Sequence, residues 1–173
     1  MREFEPLSAV RDSRTRATLK IQDGCVNFCS YCIIPYARGP LRSRPLSEIS
    51  TEVELLSREG YQEIVLTGIH LASYGRDLAQ ENVSLLDAIA RASEPAGIRR
   101  IRLGSLEPLF VTEPVAKALA ENPKICRQFH LSLQSGSNTV LKRMNRKYTA
   151  EEYLYALALL RQHMPDCAIT TDV

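Results

Sequence analysis

The stretch TLKIQDGCVNFCSYC, residues 18–32, joins a β-rich run directly to three closely spaced cysteines, Cys25, Cys29 and Cys32. Four more runs of the same character follow: EIVLTG at 63–68, RIRLGS at 100–105, FHLSLQ at 129–134 and CAITTDV at 167–173. Between them apolar residues recur at helical spacing. Leu46, Ile49, Val53 and Leu56 predict a crossover helix that stops at Gly60. Ser84 caps a helix carrying Leu85, Leu86, Ile89 and Ala90, and Thr112 with Pro114 opens a shorter one over 115–119. Thr149 and Glu152 form a capping box for a last helix whose inner face is Tyr153, Leu157, Leu160 and Met164. This alternation predicts an α/β fold of repeated βα units around a parallel sheet. Periodicity leaves two architectures open, a partial (β/α) barrel and a doubly wound sheet; in both, ligands gather at the carboxyl ends of the strands. The three cysteines stand at such an end.

With 173 residues, 45% hydrophobic and 24% charged, the chain has material for one domain. Residues 1–17 are polar without a period and are expected to form a leader or linker ahead of an ordered core at 18–173. They lack the apolar run of a signal peptide, and no stretch has the length to span a bilayer, so a cytoplasmic protein with no membrane partner is expected. The net charge of +2 is small, but Arg11, Arg14, Arg16, Lys20, Arg38, Arg42 and Arg44 outnumber Asp12 and Asp23 around the cysteines. Lys142, Arg143, Arg146 and Lys147 form a second basic cluster. Such runs are solvated faces more often than binding sites.

Five cysteines, three of them crowded together, suit thiols kept reduced for a metal better than a disulfide framework. Thiolates ligate zinc and iron–sulfur clusters alike. Structural zinc wants four ligands, usually as two paired motifs, whereas the CxxxCxxC loop supplies three and no second pair follows. One of His70, His130, His163, Cys126 or Cys167 completing a zinc site is the competing reading. A cubane cluster on three cysteines leaves one iron open to a substrate or cofactor. Cys126 and Cys167, alone beside apolar runs, read as small buried hydrophobes.

The CxxxCxxC motif with Tyr31 before its last cysteine closely resembles the radical S-adenosylmethionine superfamily. The resemblance implies a partial (β/α) barrel, a [4Fe–4S] cluster on Cys25, Cys29 and Cys32, and S-adenosylmethionine chelated at the open iron. It also implies an external electron donor such as flavodoxin or ferredoxin, and cleavage to a 5′-deoxyadenosyl radical. The stretches KIQDGCVNFCSYCIIPYARGPLRSR at 20–44 and HLSLQSGSNTVLKRMNRKYT at 130–149 are similar to the methylthiotransferase branch. IIPYARG, LTGIHLASYG at 66–75 and RLGSLEP at 102–108 are most similar to its members acting on N6-threonylcarbamoyladenosine in tRNA. Relatives that modify isopentenyladenosine or a ribosomal-protein aspartate are the alternatives within the branch. That branch carries an upstream domain with a second cluster and a downstream RNA-gripping β domain. The chain ends inside a strand pattern at 173, so a core truncated in its fifth strand, without those domains, is expected.

Further candidates for cofactor contact follow from their positions after strands. Thr67 and Gly68 end the second run, where glycine lets backbone approach a ligand. Ser105 and Glu107 follow the third and offer a hydroxyl and a carboxylate to ribose. Ser132 and Gln134 share one face of the fourth. Tyr31 is placed against the adenine by the resemblance. His70 has no assigned role. Arg38, Arg42 and Arg44 could meet phosphate, and Phe28, Tyr31, Tyr36 and Tyr74 are the aromatics available to stack on exposed bases.

A radical enzyme core, an electron-transfer or sensor module and a structural zinc domain thus compete, and an open three-cysteine ligand set favours the first. Replacing Cys25, Cys29 or Cys32 by alanine is expected to abolish iron uptake on anaerobic reconstitution, while Cys126→Ala and Cys167→Ala retain it. Equal loss at all five would contradict the ligand assignment.

Overall fold

The computed structural model describes residues 15–78 and 82–173. Most of the expected 1–17 leader lies outside the described residues; the first strand already begins at Arg16, ahead of the boundary expected at 18. Six strands and six α-helices are described: β1 Arg16–Asp23, α1 Ile34–Arg38, β2 Arg42–Ser43, α2 Leu46–Arg58, β3 Glu63–Gly68, α3 Leu85–Ser93, β4 Arg100–Leu103, α4 Glu113–Glu121, β5 Gln128–His130, α5 Asn138–Arg143, α6 Ala150–His163 and β6 Ala168–Thr170.

β1, β3 and β4 run parallel in that order, and β2 adds an antiparallel edge beside β1. β5 and β6 form a parallel pair. Isolated bridges Ile101–Ile125 and Leu106–Leu131 join this pair to the β4 side. The parallel strands therefore succeed one another in chain order, without the reversal a doubly wound sheet requires. The sheet curls as a partial barrel, and the doubly wound alternative falls.

Alternation along the strands sorts the two faces. Ala17, Leu19 and Ile21 of β1, Ile64 and Leu66 of β3, and Ile101 and Leu103 of β4 are buried in one apolar core with Ile49, Val53 and Leu56 of α2 and with Leu85 and Ile89 of α3. Each such leucine or isoleucine taken from water contributes about 1.5–3 kcal/mol. Phe129 of β5 extends this core toward Tyr153 and Leu160 of α6. The opposite face carries Lys20, Gln22, Glu63, Thr67, Arg102 and Gln128, so the hollow of the barrel is polar.

Helix starts match their chemistry. Both Ser84 with Asp87 and Thr149 with Glu152 close capping boxes. The inner face of α3 is Leu85, Ala88, Ile89 and Ala92, with Ala90 outward; that of α6 is Tyr153, Ala156, Leu159 and Leu160, with Leu157 partly buried. The fourth strand is shorter than expected. It ends at His130, and Gln134 turns at φ +68°, so Ser132 and Gln134 are not an alternating strand pair.

Glu63 links three strands across the hollow. Its carboxylate accepts from Arg100 Nε at 2.8 Å and Arg102 Nε at 3.0 Å, with Arg16 Nη1 at 3.6 Å. Burial opposes its charge, but the Arg102 and Arg100 bonds prevail and hold the carboxyl below its usual range. Glu63→Gln is expected to cost about 1.5 kcal/mol at neutral pH, the low end for charged hydrogen bonds because Arg100 stands in solvent. A depressed carboxylate contributes fully above its unfolded value near about 4.3 and loses that contribution as pH falls through the folded value. Urea melts should therefore show the gap between wild type and variant closing on acidification; a constant gap would contradict the ion-pair account.

Candidate cluster and cofactor site

β1 ends in a buried amide. Gln22 Nε2 donates to the carbonyls of Asp23 at 2.8 Å and Gly24 at 2.7 Å, and Gln22 Oε1 accepts from the His70 N–H at 2.6 Å. The carboxyl ends of β1 and β3 are thereby fastened together, after an irregularity in their pairing between Lys20 and Gln22. Gly24 then turns the chain at φ +72°, where a Cβ would lie 2.0 Å from Pro40 O. The Cys25 N–H closes the loop onto Gly39 O at 3.2 Å. Only glycine fits this junction.

Cys25, Cys29 and Cys32 are free thiols, all half-buried. Among the described residues no three His, Cys, Asp or Glu side chains converge tightly enough for one metal ion. Thiolates on a single zinc, each about 2.3 Å from it, would have to crowd together. A cubane cluster spreads its ligands over separate corners, so the looser loop suits that group. Burial pushes the Cys25 thiol up; the Asn27 N–H opposes this, while the nearby Cys29 and Cys32 sulfurs and Glu107 add to it. The Cys29 and Cys32 sulfurs thus oppose ionisation of Cys25, and iron would supply the counter-charge. The donor set fits a cluster on three cysteines.

The predicted contact residues fall into two groups around the loop. Tyr31 OH donates to Gln134 Oε1 at 3.0 Å, bridging the cysteine loop to the turn after β5. Glu107 stands on the other side, its Oε2 3.0 Å from His70 Nε2 and its Oε1 3.5 Å from Asn27 Nδ2. Burial opposes ionisation of Glu107, but His70, Arg146 and Arg76 hold its carboxyl below the usual range. Thr67 and Gly68 end β3 half-buried, and a Cβ on Gly68 would come 2.8 Å from Gln22 Oε1. The glycine therefore admits the Gln22 clasp as well as any ligand. Ser105 is exposed beyond β4, and Ser132 is anchored through its backbone, its N–H donating to Leu106 O at 3.1 Å.

Several expected contacts change. Arg44 is 4% exposed and faces Glu48 and Glu52 at 3.4 and 3.6 Å, so it cannot meet a phosphate. Arg42 pairs with Asp23 at 3.2 Å and donates to Arg38 O at 2.9 Å, bracing the loop from behind. Tyr74 is buried, its hydroxyl donating to Arg44 O at 2.6 Å, and is not available to stack on a base. Phe28, Tyr31 and Tyr36 are exposed, with Phe28 and Tyr36 edge to face at 5.7 Å. Of the competing zinc ligands, His163 lies 2.7 Å from Glu113 and His130 lies 3.0 Å from Thr170 Oγ1, whereas His70 stays beside the loop, its Nε2 3.3 Å from Asn27 Nδ2 and 3.0 Å from Glu107 Oε2. Cys167 is buried as expected, Cys126 only half so.

Sequence reasoning passed over Gln22, Asn27, Asn145 and Tyr148, left His70 without a role, and read Arg146 only as part of a basic cluster. Polar residues at strand ends were the available signal for Gln22 and His70. For residues 145–148 the signal was only that they stand inside a family-like stretch.

The Radical SAM superfamily profile matches residues 19–173. The chain is 48% identical over 161 residues to the threonylcarbamoyladenosine tRNA methylthiotransferase MtaB of Bacillus subtilis (strain 168), covering 92% of this chain and 35% of that protein. It is 42% identical over 170 residues to the tRNA-2-methylthio-N(6)-dimethylallyladenosine synthase of Thermoanaerobacter sp. (strain X514), covering 98% and 36%. The chain thus spans about a third of the length of these relatives. Among solved structures, the cobalamin-dependent radical enzyme OxsB with S-adenosylmethionine bound superposes with a TM-score of 0.70 at 16% identity, over 89% of this chain and 23% of that one. The methyltransferase TsrM from Kitasatospora setae, with cobalamin and a [4Fe–4S] cluster bound, gives 0.63 at 23% identity, over 89% and 29%. At such identities the likeness is one of fold. With the profile spanning the ordered core from β1 to its last residue, the chain belongs to the radical S-adenosylmethionine superfamily, whose cofactors are a [4Fe–4S] cluster and S-adenosylmethionine.

Proposed function

We propose that this chain is the catalytic core of a tRNA methylthiotransferase that acts on N6-threonylcarbamoyladenosine near the anticodon. The observation that carries the choice is the 48% identity over 92% of the chain to the Bacillus subtilis protein of that name. Similarity to the dimethylallyladenosine synthases supports the reaction class and supplies the competing substrate.

In this reading Cys25, Cys29 and Cys32 would hold the cluster beside S-adenosylmethionine. Once bound, the pair supplies one-electron chemistry strong enough to activate an unactivated C–H bond. The chain's own residues bind and orient. The ionised Glu107, held by His70 and Asn27, accepts hydrogen bonds from ribose hydroxyls, with the exposed Ser105 two residues before it. Thr67 and Gly68 offer backbone to the methionyl group, and the Tyr31–Gln134 bridge walls the adenine side, to which Ser132 is also assigned. The polar strand face that carries Lys20 and Arg102 suits a polar nucleobase better than a lipid. An external flavodoxin or ferredoxin delivers the electron, and a cytoplasmic setting gives access to both donor and tRNA. Among the described residues no helix is long and apolar enough to cross a membrane.

Glu107→Ala is expected to weaken S-adenosylmethionine binding by about tenfold or more, the loss of one charged hydrogen-bonding group, with the cluster retained; unaltered affinity would remove Glu107 from the site. For the substrate, nucleosides from a strain lacking the gene should lose 2-methylthio-N6-threonylcarbamoyladenosine and regain it on complementation. Its persistence would overturn the reading, and loss of the dimethylallyl counterpart instead would assign the other substrate.

A further inference from the structure

Residues 144–148 clasp the cysteine loop at Asn27 to Ser30. Met144 O accepts from the Ser30 N–H at 3.1 Å. Asn145, at φ +59°, donates from Nδ2 to Asn27 O at 3.2 Å and Phe28 O at 2.9 Å. Arg146 Nη1 then reaches Cys29 Sγ at 3.4 Å. The guanidinium is held for this contact: Nε donates to Tyr148 OH at 2.9 Å, and its carbon lies 4.9 Å from the Tyr148 ring centroid. Tyr148 is itself 4% exposed, its hydroxyl against the carbonyls of Ser132 and Leu133. A charged donor is thus fixed on one of the three sulfurs.

Hydrogen bonds to cluster sulfurs and nearby charge set an iron–sulfur reduction potential. A fixed cation stabilises the reduced state, whose charge is more negative by one, over the oxidised state. Arginine stays protonated throughout, so no proton accompanies the electron. We propose that Arg146 is a positioning residue that donates to the Cys29 ligand and raises the cluster's reduction potential, easing one-electron delivery from a low-potential flavin or iron–sulfur donor. The proposal rests on the reading of Cys25, Cys29 and Cys32 as cluster ligands. It also gives the cysteines unequal surroundings, since among the described residues Cys25 receives the Asn27 N–H at 3.5 Å and Cys29 the guanidinium.

The test is a potentiometric titration followed by electron paramagnetic resonance, on the full chain reconstituted anaerobically with iron and sulfide. In R146Q the equilibrium constant for one-electron reduction should fall about tenfold, which is about 59 mV to more negative potential for a one-electron couple. R146K keeps the charge without the planar fork and should recover at least half of that shift. An unchanged potential in an R146Q protein that holds its cluster overturns the proposal. Where R146Q holds no iron, Tyr148→Phe decides: it removes the hydroxyl that fixes Nε while leaving the charge and the ligands. A lowered potential there supports the role, and an unchanged one overturns it. A wild-type chain that takes up no cluster fails the ligand reading itself, and the proposal falls with it.

Discussion

One buried side chain, Gln22, organises the ligand edge of this protein. Its amide is wholly removed from solvent, and it spends both donors on the turn that begins the cysteine loop and its acceptor on the chain leaving β3. Losing any one of these would strand a buried polar group, at about 1–3 kcal/mol. Loop and strand ends therefore move together or not at all. Gly68 leaves the space into which this amide fits, and Gly24 makes the turn it caps. The cysteines are positioned by polar bonds at the edge of an apolar core, not by the core itself.

Charge is distributed accordingly. Behind the loop, Lys20 at 2.7 Å and Arg42 at 3.2 Å share the single carboxylate of Asp23 and are held away from solvent phosphate. In front, Glu107 stays ionised through its own partners and adds negative potential at Cys25. Arg146 is the described cation in hydrogen-bonding reach of a loop sulfur, and burial is outweighed by its bonds to Cys29 and Tyr148 in keeping it charged. The loop thus offers three cysteine sulfurs beside an ionised carboxylate, with an arginine on one side.

Much of this was legible from residue order. Alternation in 18–23 and 63–68 and the helical stripe of 46–56 reflect burial against one core, and burial leaves a period in sequence. The CxxxCxxC loop was legible because its ligands are adjacent. What alternation hid was the end of β5, where Leu131 and Leu133 continue the apolar rhythm although the regular ladder stops at His130. Arg42 and Arg44 read as phosphate ligands because composition records charge but not the acid that comes to meet it; Asp23, Glu48 and Glu52 claim them in the fold. The clasp of Asn145 and Arg146 on the cysteine loop spans more than a hundred residues of chain, a juxtaposition that no local pattern encodes.

The central claim is that the three-cysteine loop holds a cluster with one iron open to S-adenosylmethionine. Electron–nuclear double resonance of the reduced, reconstituted protein with S-adenosylmethionine labelled at its amine nitrogen and carboxylate oxygens tests this directly. Hyperfine coupling from both labels to the cluster is predicted, and its loss when the cofactor is omitted. A reduced cluster present in full that shows coupling to neither label would contradict the account.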